Sequence, residues 1–179
     1  MVNRLSESAH GLHCLIIYPD LITLREFYTY YIQKQIEEKN NAVLINPFYE
    51  TVTSVRRTLS ESHMSIDVNK YENTETLVIN DSLKEYFGET DPMDSKKKLL
   101  ELAKRMGKDG LSVIADMGPY FFKMNHDKLM EYELSLPSSF GTSLTGLCIY
   151  HQKDFTRLSD GQRQELAKNH SMILRLEKH

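Results

Sequence analysis

Short apolar runs recur along the chain, and most of them stop at a proline or an acidic residue. The first covers residues 14–18 and ends at Pro19, and the second covers residues 42–46 and ends at Pro47. Short runs of this kind, rich in Val, Ile and Leu, predict strands that are buried on both faces. Four further runs complete the set, at residues 76–81, 111–116, 144–150 and 171–176.

Amphipathic segments separate these runs. After Asp20, which suits a helix N-cap, the residues Leu24, Phe27, Tyr28 and Tyr31 recur at helical spacing and predict one buried helix face. Similar patterns follow most of the later runs. The sequence therefore alternates predicted strands with predicted helices along its whole length.

Two later helices have clear starts. Asp91 and Pro92 predict the beginning of a helix after an irregular stretch over residues 85–93, and Ser159 with Gln162 forms a capping box. The first of these helices is predicted to turn four residues inward, namely Leu99, Leu102, Ala103 and Met106.

This alternation predicts an α/β fold with three αβα layers and a mainly parallel sheet of about six or more strands. The first strand is expected inside the sheet, with right-handed crossovers. Residues 1–10 read as a flexible N-terminal lead, and residues 11–179 as a single domain. A chain of 179 residues is long enough to bury a real core.

The charge balance narrows the classes of partner. The chain has 22 Lys plus Arg and 25 Asp plus Glu, for a net charge of −3, so binding of nucleic acid through phosphates is not expected. The largest cationic run is only Lys96, Lys97 and Lys98. No long apolar segment or signal peptide is evident, which favours a cytoplasmic protein without membrane contact.

The sulfur and imidazole groups predict little chemistry. Cys14 and Cys148 lie far apart in apolar runs, as buried free thiols do, and no Cys or His pair has zinc spacing. His13, His151 and His170 fall at the edges of predicted elements, where hydrogen-bonded boundary residues are common. The sequence therefore predicts no metal, no cofactor and no nucleophilic catalysis.

A parallel sheet binds its ligands at the carboxyl ends of its strands. Residues at or just after the predicted strand ends offer hydroxyls, acids, an amide and an imidazole, but no Arg or Lys, which favours a neutral or cationic small molecule. An alternative is that Asp81 and Asp116 only anchor loops. The candidate ligand-binding residues are Tyr18, Asp20, Asn46, Tyr49, Asp81, Asp116, Tyr150 and His151.

Several short motifs resemble known families. The sequence from Asn46 to Glu50, followed later by Glu75 to Asp81, resembles the central part of RecA/KaiC-like ATPases. The closing third is similar to the MEDS domain, the sensory domain of methanogens and methylotrophs of the DcmR type. That similarity rests on Tyr132-Glu133, Leu147 to Tyr150, Phe155 and Asn169-His170.

The resemblance implies a sensory or regulatory domain on a RecA-like fold, recognising small hydrocarbon-derived ligands and signalling through a separate regulator or kinase. In RecA-like ATPases a glycine-rich loop with a Lys holds the phosphates, but residues 18–23 contain neither, and Pro19 removes one N–H donor. Glu50 stands alone where a pair of catalytic acids is expected. The alternatives are a divergent KaiC-like nucleotide-binding ATPase domain and a pure protein-interaction module.

A group of aromatic residues favours self-association. Three consecutive aromatic residues, Tyr120, Phe121 and Phe122, follow a Gly-Pro turn, and Tyr30 points away from the inner face of its helix. A single domain is not expected to cover all four rings. The sequence therefore predicts a two-fold homodimer.

Overall fold

The sheet has six strands within the residues that the computed structural model describes, which are Leu5 and residues 11–178. The strands are β1 (His13–Tyr18), β2 (Ala42–Asn46), β3 (Leu77–Ile79), β4 (Leu111–Asp116), β5 (Leu144–His151) and β6 (Met172–Arg175). Their order across the sheet is β3-β2-β4-β5-β1-β6, and every neighbouring pair is parallel. The predicted parallel sheet, with β1 in its interior, is confirmed.

Helices connect the strands. In chain order they are α1 (Leu21–Gln33), α2 (Val52–Glu61), α3 (Val68–Asn73), α4 (Ser82–Phe87), α5 (Pro92–Arg105), α6 (Gly118–Phe122), α7 (His126–Ser135), α8 (Gln152–Phe155) and α9 (Asp160–Asn169). A π-helical turn over Lys34–Glu38 extends α1. The predicted caps at Asp20 and Asp91 and the capping box of Ser159 and Gln162 are all formed.

The sheet separates two hydrophobic cores. Alternate residues of β1 point to opposite faces, so Ile16 lies in the first core and Leu15 in the second. Helices α1, α2 and α3 cover the first core, and helices α4 to α9 cover the second. Leu5 is buried in the first core, and the rest of the lead predicted over residues 1–10 lies outside the described residues.

Helix α5 is rotated relative to the prediction. Lys96, Leu100 and Ala103 are its buried residues, whereas Leu99 and Leu102 are only half-buried. The Lys96 ammonium lies 3.4 Å from a Glu85 carboxylate oxygen. Because Glu85 belongs to α4, in a stretch expected to be irregular, the sequence offered no partner for a buried lysine.

Breaking this buried ion pair gives a test of the helix position. Lys96→Met is expected to lower the free energy of unfolding by about 3 kcal/mol, because it leaves the Glu85 carboxylate buried and unpaired. Lys97→Met is the matched control, since the Lys97 side chain is 69% exposed and its loss should cost less than about 0.5 kcal/mol. Equal effects of the two substitutions in urea denaturation would contradict the buried pair.

The aromatic residues after β4 are better covered than predicted. Tyr120 and Phe121 are buried, and only Phe122, at 64% exposure, faces solvent. The three residues lie in helix α6, where successive side chains point in different directions, so two of them reach the core. This removes most of the surface on which the dimer prediction rested, and the dimer itself stays a prediction.

The turn that starts α6 requires glycine. A Cβ atom at Gly118 would lie 2.3 Å from Cδ1 of Phe48, so the backbone passes directly against this ring.

Among the described residues, none of the helices combines the length and the apolar character needed to span a membrane.

Candidate functional site

Five side chains meet at the carboxyl edge of the sheet and are called the rim cluster here: Tyr18, Tyr49, Asp116, His151 and Asp154. The Tyr18 hydroxyl donates to Asp116 Oδ2 at 3.2 Å. The His151 ring lies 5.2 Å from the Tyr18 ring and 5.5 Å from the Tyr49 ring. The strand register explains why the Tyr18 and His151 side chains lie together, because these two residues are paired on the adjacent strands β1 and β5. Four of the eight predicted ligand-binding residues therefore come together.

Asp116 is the buried acid of the rim cluster. Its Oδ1 accepts a hydrogen bond from the Gly118 amide at 2.8 Å, so it anchors the following turn as well as binding Tyr18. Burial raises the pKa of the Asp116 carboxyl to about 7, despite the hydrogen bonds from Gly118 and Tyr18, and the nearby Asp154 charge adds to the rise. This carboxyl is therefore largely neutral below pH 7.

Tyr49 is the exposed residue of the rim cluster, and Asp154, which it contacts, is buried. The Tyr49 hydroxyl donates to Asp154 Oδ2, and the Tyr49 side chain remains 40% exposed. Burial and this hydrogen bond raise the pKa of Tyr49 above its ordinary value. Asp154 also lies 3.4 Å from Arg157 Nη1. Asp154 and Arg157 were not among the predicted site residues, since an acid and a base three residues apart are common on exposed helices.

Three of the predicted residues serve as helix caps: His151 of the rim cluster, which accepts from the Lys153 amide at 3.1 Å, and the two acids Asp20 and Asp81. Asp20 accepts from the Thr23 amide at 2.9 Å and pairs with Lys178, and these contacts lower its pKa to about 2. Asp81 accepts from the Lys84 amide at 3.1 Å. The loop-anchor alternative therefore describes Asp81.

The remaining two predicted residues lie on the opposite face of the sheet. Ile45 and Ile149 point into the first core, so the next residues, Asn46 and Tyr150, point toward the second. Both are fully buried. The side-chain amide of Asn46 has no hydrogen-bond partner in the part of the chain that the structure describes. The common rim predicted from the strand ends thus divides between two faces.

Glu50 is held by an ion pair rather than exposed as a catalytic acid. Its Oε2 accepts from Arg25 Nε at 2.8 Å and from Ser54 Oγ at 2.9 Å, which links α1 to α2. Between Glu50, Tyr49 and Asp116 lies a cavity of about 10 Å³, barely the size that holds one water. The rim is therefore filled by its own side chains in this conformation.

A second group of polar residues lies in the second core and is called the buried His–Glu–Cys cluster: His13, Glu133, Cys148 and His170. Glu133 Oε2 lies 3.5 Å from His13 Nε2 and 3.4 Å from His170 Nε2. Cys148 Sγ lies 3.5 Å from His13 Nε2. All four residues are buried, and their ligand-type atoms lie within 4.8 Å of one another.

The outer atoms of this cluster are hydrogen-bonded, whereas the inner ones are not all satisfied. His13 Nδ1 donates to the Pro137 carbonyl at 3.0 Å, His170 Nδ1 donates to the Leu166 carbonyl at 2.6 Å, and the Tyr150 hydroxyl donates to Glu133 Oε1. Among the described residues, Glu133 Oε2 and His170 Nε2 have no hydrogen-bond partner.

The protonation of the cluster follows from its burial. Burial alone would raise the pKa of Glu133, but the two imidazoles beside it outweigh this effect and lower the pKa to about 2. Burial raises the pKa of the Cys148 thiol well above its ordinary value. The carboxylate is therefore ionised and the thiol protonated.

This cluster was not predicted from the sequence, because its residues come from four separate parts of the chain. His13 begins β1, Cys148 lies in β5, Glu133 in α7, and His170 directly follows α9. No two of them share a short spacing. The sequence does contain one sign of the cluster, namely polar residues where buried apolar ones are expected. Glu133 interrupts the apolar face of a helix, and both histidines border apolar runs.

A small cavity adjoins the cluster. It has a volume of about 20 Å³, enough for a water-sized molecule, and it is mostly apolar. His13 and Cys148 form part of its wall, together with Lys96, Tyr132 and Phe140. This cavity borders two of the four buried polar groups.

Comparison with known proteins identifies relatives in two ways. A family model described as the methanogen/methylotroph, DcmR sensory domain (MEDS) matches residues 12–171. The crystal structure of the flagellar accessory protein FlaH from Methanocaldococcus jannaschii superimposes with a TM-score of 0.51 at 11% identity, covering 97% of this chain and 74% of FlaH. The FlaH likeness supports the RecA-like fold alone. Among curated proteins no match is found.

Proposed function

Since this chain belongs to the MEDS family of sensory domains, we propose that it is a non-enzymatic sensory domain that binds a small molecule at the rim cluster. The family supports a sensory or regulatory role. The site, the ligand class, a separate output protein and a homodimeric state are parts of the proposal. Within it, a change at the rim on ligand binding is passed to the output protein.

The observation that carries the proposal is the pairing of Tyr49 with Asp154 above the buried Asp116. An exposed phenol ring over two acids offers a face for stacking and carboxyl groups for hydrogen bonding. Since the cavity below Tyr49 holds about 10 Å³, a ligand binds by displacing the Tyr49 ring from Asp154.

The charges at this edge favour a neutral or cationic ligand. Asp116 and Asp154 are the acids of the rim, and Arg157 pairs with Asp154 while its guanidinium lies over the Phe121 ring. The N-terminus of α1, where a P-loop ATPase holds phosphate, is occupied by the Asp20 carboxylate. These features oppose the alternative of a divergent nucleotide-binding ATPase domain. The exposed Tyr49 ring, which contacts a buried carboxylate, favours a ligand site over a pure interaction module.

Thermal denaturation of the full chain with four probes tests the proposal. Trimethylammonium and acetamide are expected to raise the melting temperature, whereas acetate and MgATP are not. A ligand at 100 times its Kd stabilises the folded state by about 2.7 kcal/mol, which is readily measured. Tyr49→Ala is expected to abolish the shift, because it removes both the ring and the hydroxyl that meets Asp154.

Tyr71→Ala is the matched control, since Tyr71 is a partly exposed tyrosine in α3, remote from the rim. Its melting-temperature shifts should equal those of the parent chain. Stabilisation by MgATP, or MgATP turnover above background, would instead favour the ATPase alternative. A chain that responds to none of the probes would contradict the proposed ligand class.

A further inference from the structure

We propose that the buried His–Glu–Cys cluster is a metal site for one divalent transition-metal ion of the zinc type. The ligands are His13 Nε2, Glu133 Oε2, Cys148 Sγ and His170 Nε2. This inference goes beyond the proposed function, because the cluster lies in the second core and uses none of the rim residues.

The spacing of the four atoms fits tetrahedral coordination. Zinc bonds of about 2.0–2.3 Å at tetrahedral angles place neighbouring ligand atoms roughly 3.3–3.6 Å apart. Glu133 Oε2 lies 3.5 Å from His13 Nε2 and 3.4 Å from His170 Nε2, and His13 Nε2 lies 3.5 Å from Cys148 Sγ. The His13 and His170 rings have centroids 3.9 Å apart, and the four ligand atoms lie within 4.8 Å of one another. Because two imidazoles bound to one tetrahedral ion diverge from it, these two rings would move apart as the ion enters.

The hydrogen bonds around the cluster leave the correct atoms free. A carbonyl oxygen can only accept, so the bonds to Pro137 and Leu166 fix a proton on Nδ1 of each imidazole and turn Nε2 inward. The Tyr150 hydroxyl holds Glu133 Oε1 and leaves Oε2 for the centre. Outer contacts of this kind orient the ligands of most protein metal sites.

The unsatisfied atoms point to the same conclusion. Glu133 Oε2 and His170 Nε2 are buried and lack hydrogen-bond partners among the described residues, although such atoms are costly to leave unpaired. A metal ion satisfies both at once. Two buried polar atoms that converge on one point are better explained by a shared ligand than by packing.

The charge of the site balances when a divalent ion binds. Two neutral imidazoles, one carboxylate and one thiolate sum to a charge of minus two, which the ion cancels, and the thiol proton of Cys148 leaves to solvent. A neutral site is much cheaper to bury than an isolated carboxylate. Nitrogen, sulfur and oxygen ligands together suit zinc, and Co²⁺ is its spectroscopic substitute.

Four protein ligands leave no open position, so the ion would join elements rather than activate a substrate. It would connect β1, β5, α7 and the residue that follows α9 across the second core. The adjoining cavity of about 20 Å³ admits nothing larger than a water-sized molecule. Because the site is closed, the metal is expected to enter as the chain folds.

Refolding with cobalt tests the site. The full chain is unfolded in denaturant that contains a chelator, freed of the chelator, and refolded in the presence of Co²⁺. It is expected to retain one ion per chain after desalting. Absorption should show the visible bands of tetrahedral Co²⁺ and a near-ultraviolet charge-transfer band from the Cys148 thiolate. Zn²⁺ should displace the cobalt and remove both features. A refolded chain that retains no stoichiometric metal would overturn the proposal.

The two cysteines provide matched variants. Cys148→Ser is expected to lose the charge-transfer band, whereas Cys14→Ser should keep it, since Cys14 points into the first core. Circular dichroism confirms that each variant is folded, and His170→Gln offers a second ligand variant that should bind the metal more weakly. A charge-transfer band that survives Cys148→Ser, or that disappears in Cys14→Ser, would refute the assignment.

Discussion

Glu133→Ala is expected to lower the free energy of unfolding of the metal-free protein by about 3–4 kcal/mol, because a fully buried, hydrogen-bonded side chain is truncated. The carboxylate lies between the imidazoles of His13 and His170 and accepts from the Tyr150 hydroxyl. Its removal leaves the Tyr150 hydroxyl without its acceptor and the two imidazoles without the neighbouring carboxylate, and it opens a cavity. Urea denaturation in the presence of a chelator measures the loss.

Two controls separate the contributions of charge and position. Glu131→Ala, at an exposed position of the same helix, should change the free energy of unfolding by less than about 0.5 kcal/mol. Glu133→Gln keeps an acceptor for Tyr150 and one donor for an imidazole, so it should cost only about 1–2 kcal/mol. If Glu133→Ala were no more damaging than Glu131→Ala, the buried network would not contribute to stability.

Asp116→Asn is expected to stabilise the protein at alkaline pH by roughly 4 kcal/mol and to have little effect near pH 4. In the folded chain Asp116 keeps its proton up to about pH 7, whereas its ordinary pKa is 3.8. Between these values the folded state binds more protons than the unfolded state. Stability therefore falls as the pH rises through this range, and the loss is complete above the folded pKa.

Asparagine imitates the protonated acid, since its oxygen can accept from the Gly118 amide and its amino group can face Tyr18. The difference in unfolding free energy between the variant and the parent chain, measured from about pH 4 to pH 8, should grow and then level off. Asp109→Asn, at an exposed position, should show no such trend. A constant difference across the pH range would mean that Asp116 is ionised throughout.

The sequence determined the architecture because the signals involved are local. Residues 42–45 are apolar at every position, which is typical of a strand buried on both faces, and helices separate such runs from one another. The caps at Asp20 and Ser159 form as predicted, since a cap depends on residues three positions away. The short motifs also sufficed to suggest the MEDS family.

The faces at the strand ends could not be derived in the same way. Asn46 and Asp116 both end strands, yet their side chains point to opposite faces of the sheet. Successive side chains of a strand alternate between the two faces, so a difference of one residue in where a strand ends changes the face. The phase of α5 likewise depends on Glu85, a partner from another helix. Periodicity alone therefore placed Leu99 inward, where the structure has Lys96 buried instead.

The buried His–Glu–Cys cluster depends entirely on tertiary structure. His13 and Cys148 are 135 positions apart in the chain, and they meet because β1 pairs with β5. Glu133 and His170 reach them only when α7 and α9 pack on the same face of the sheet. Sequence alone gave the residue types, but their convergence arises from long-range packing, which no spacing within the chain encodes.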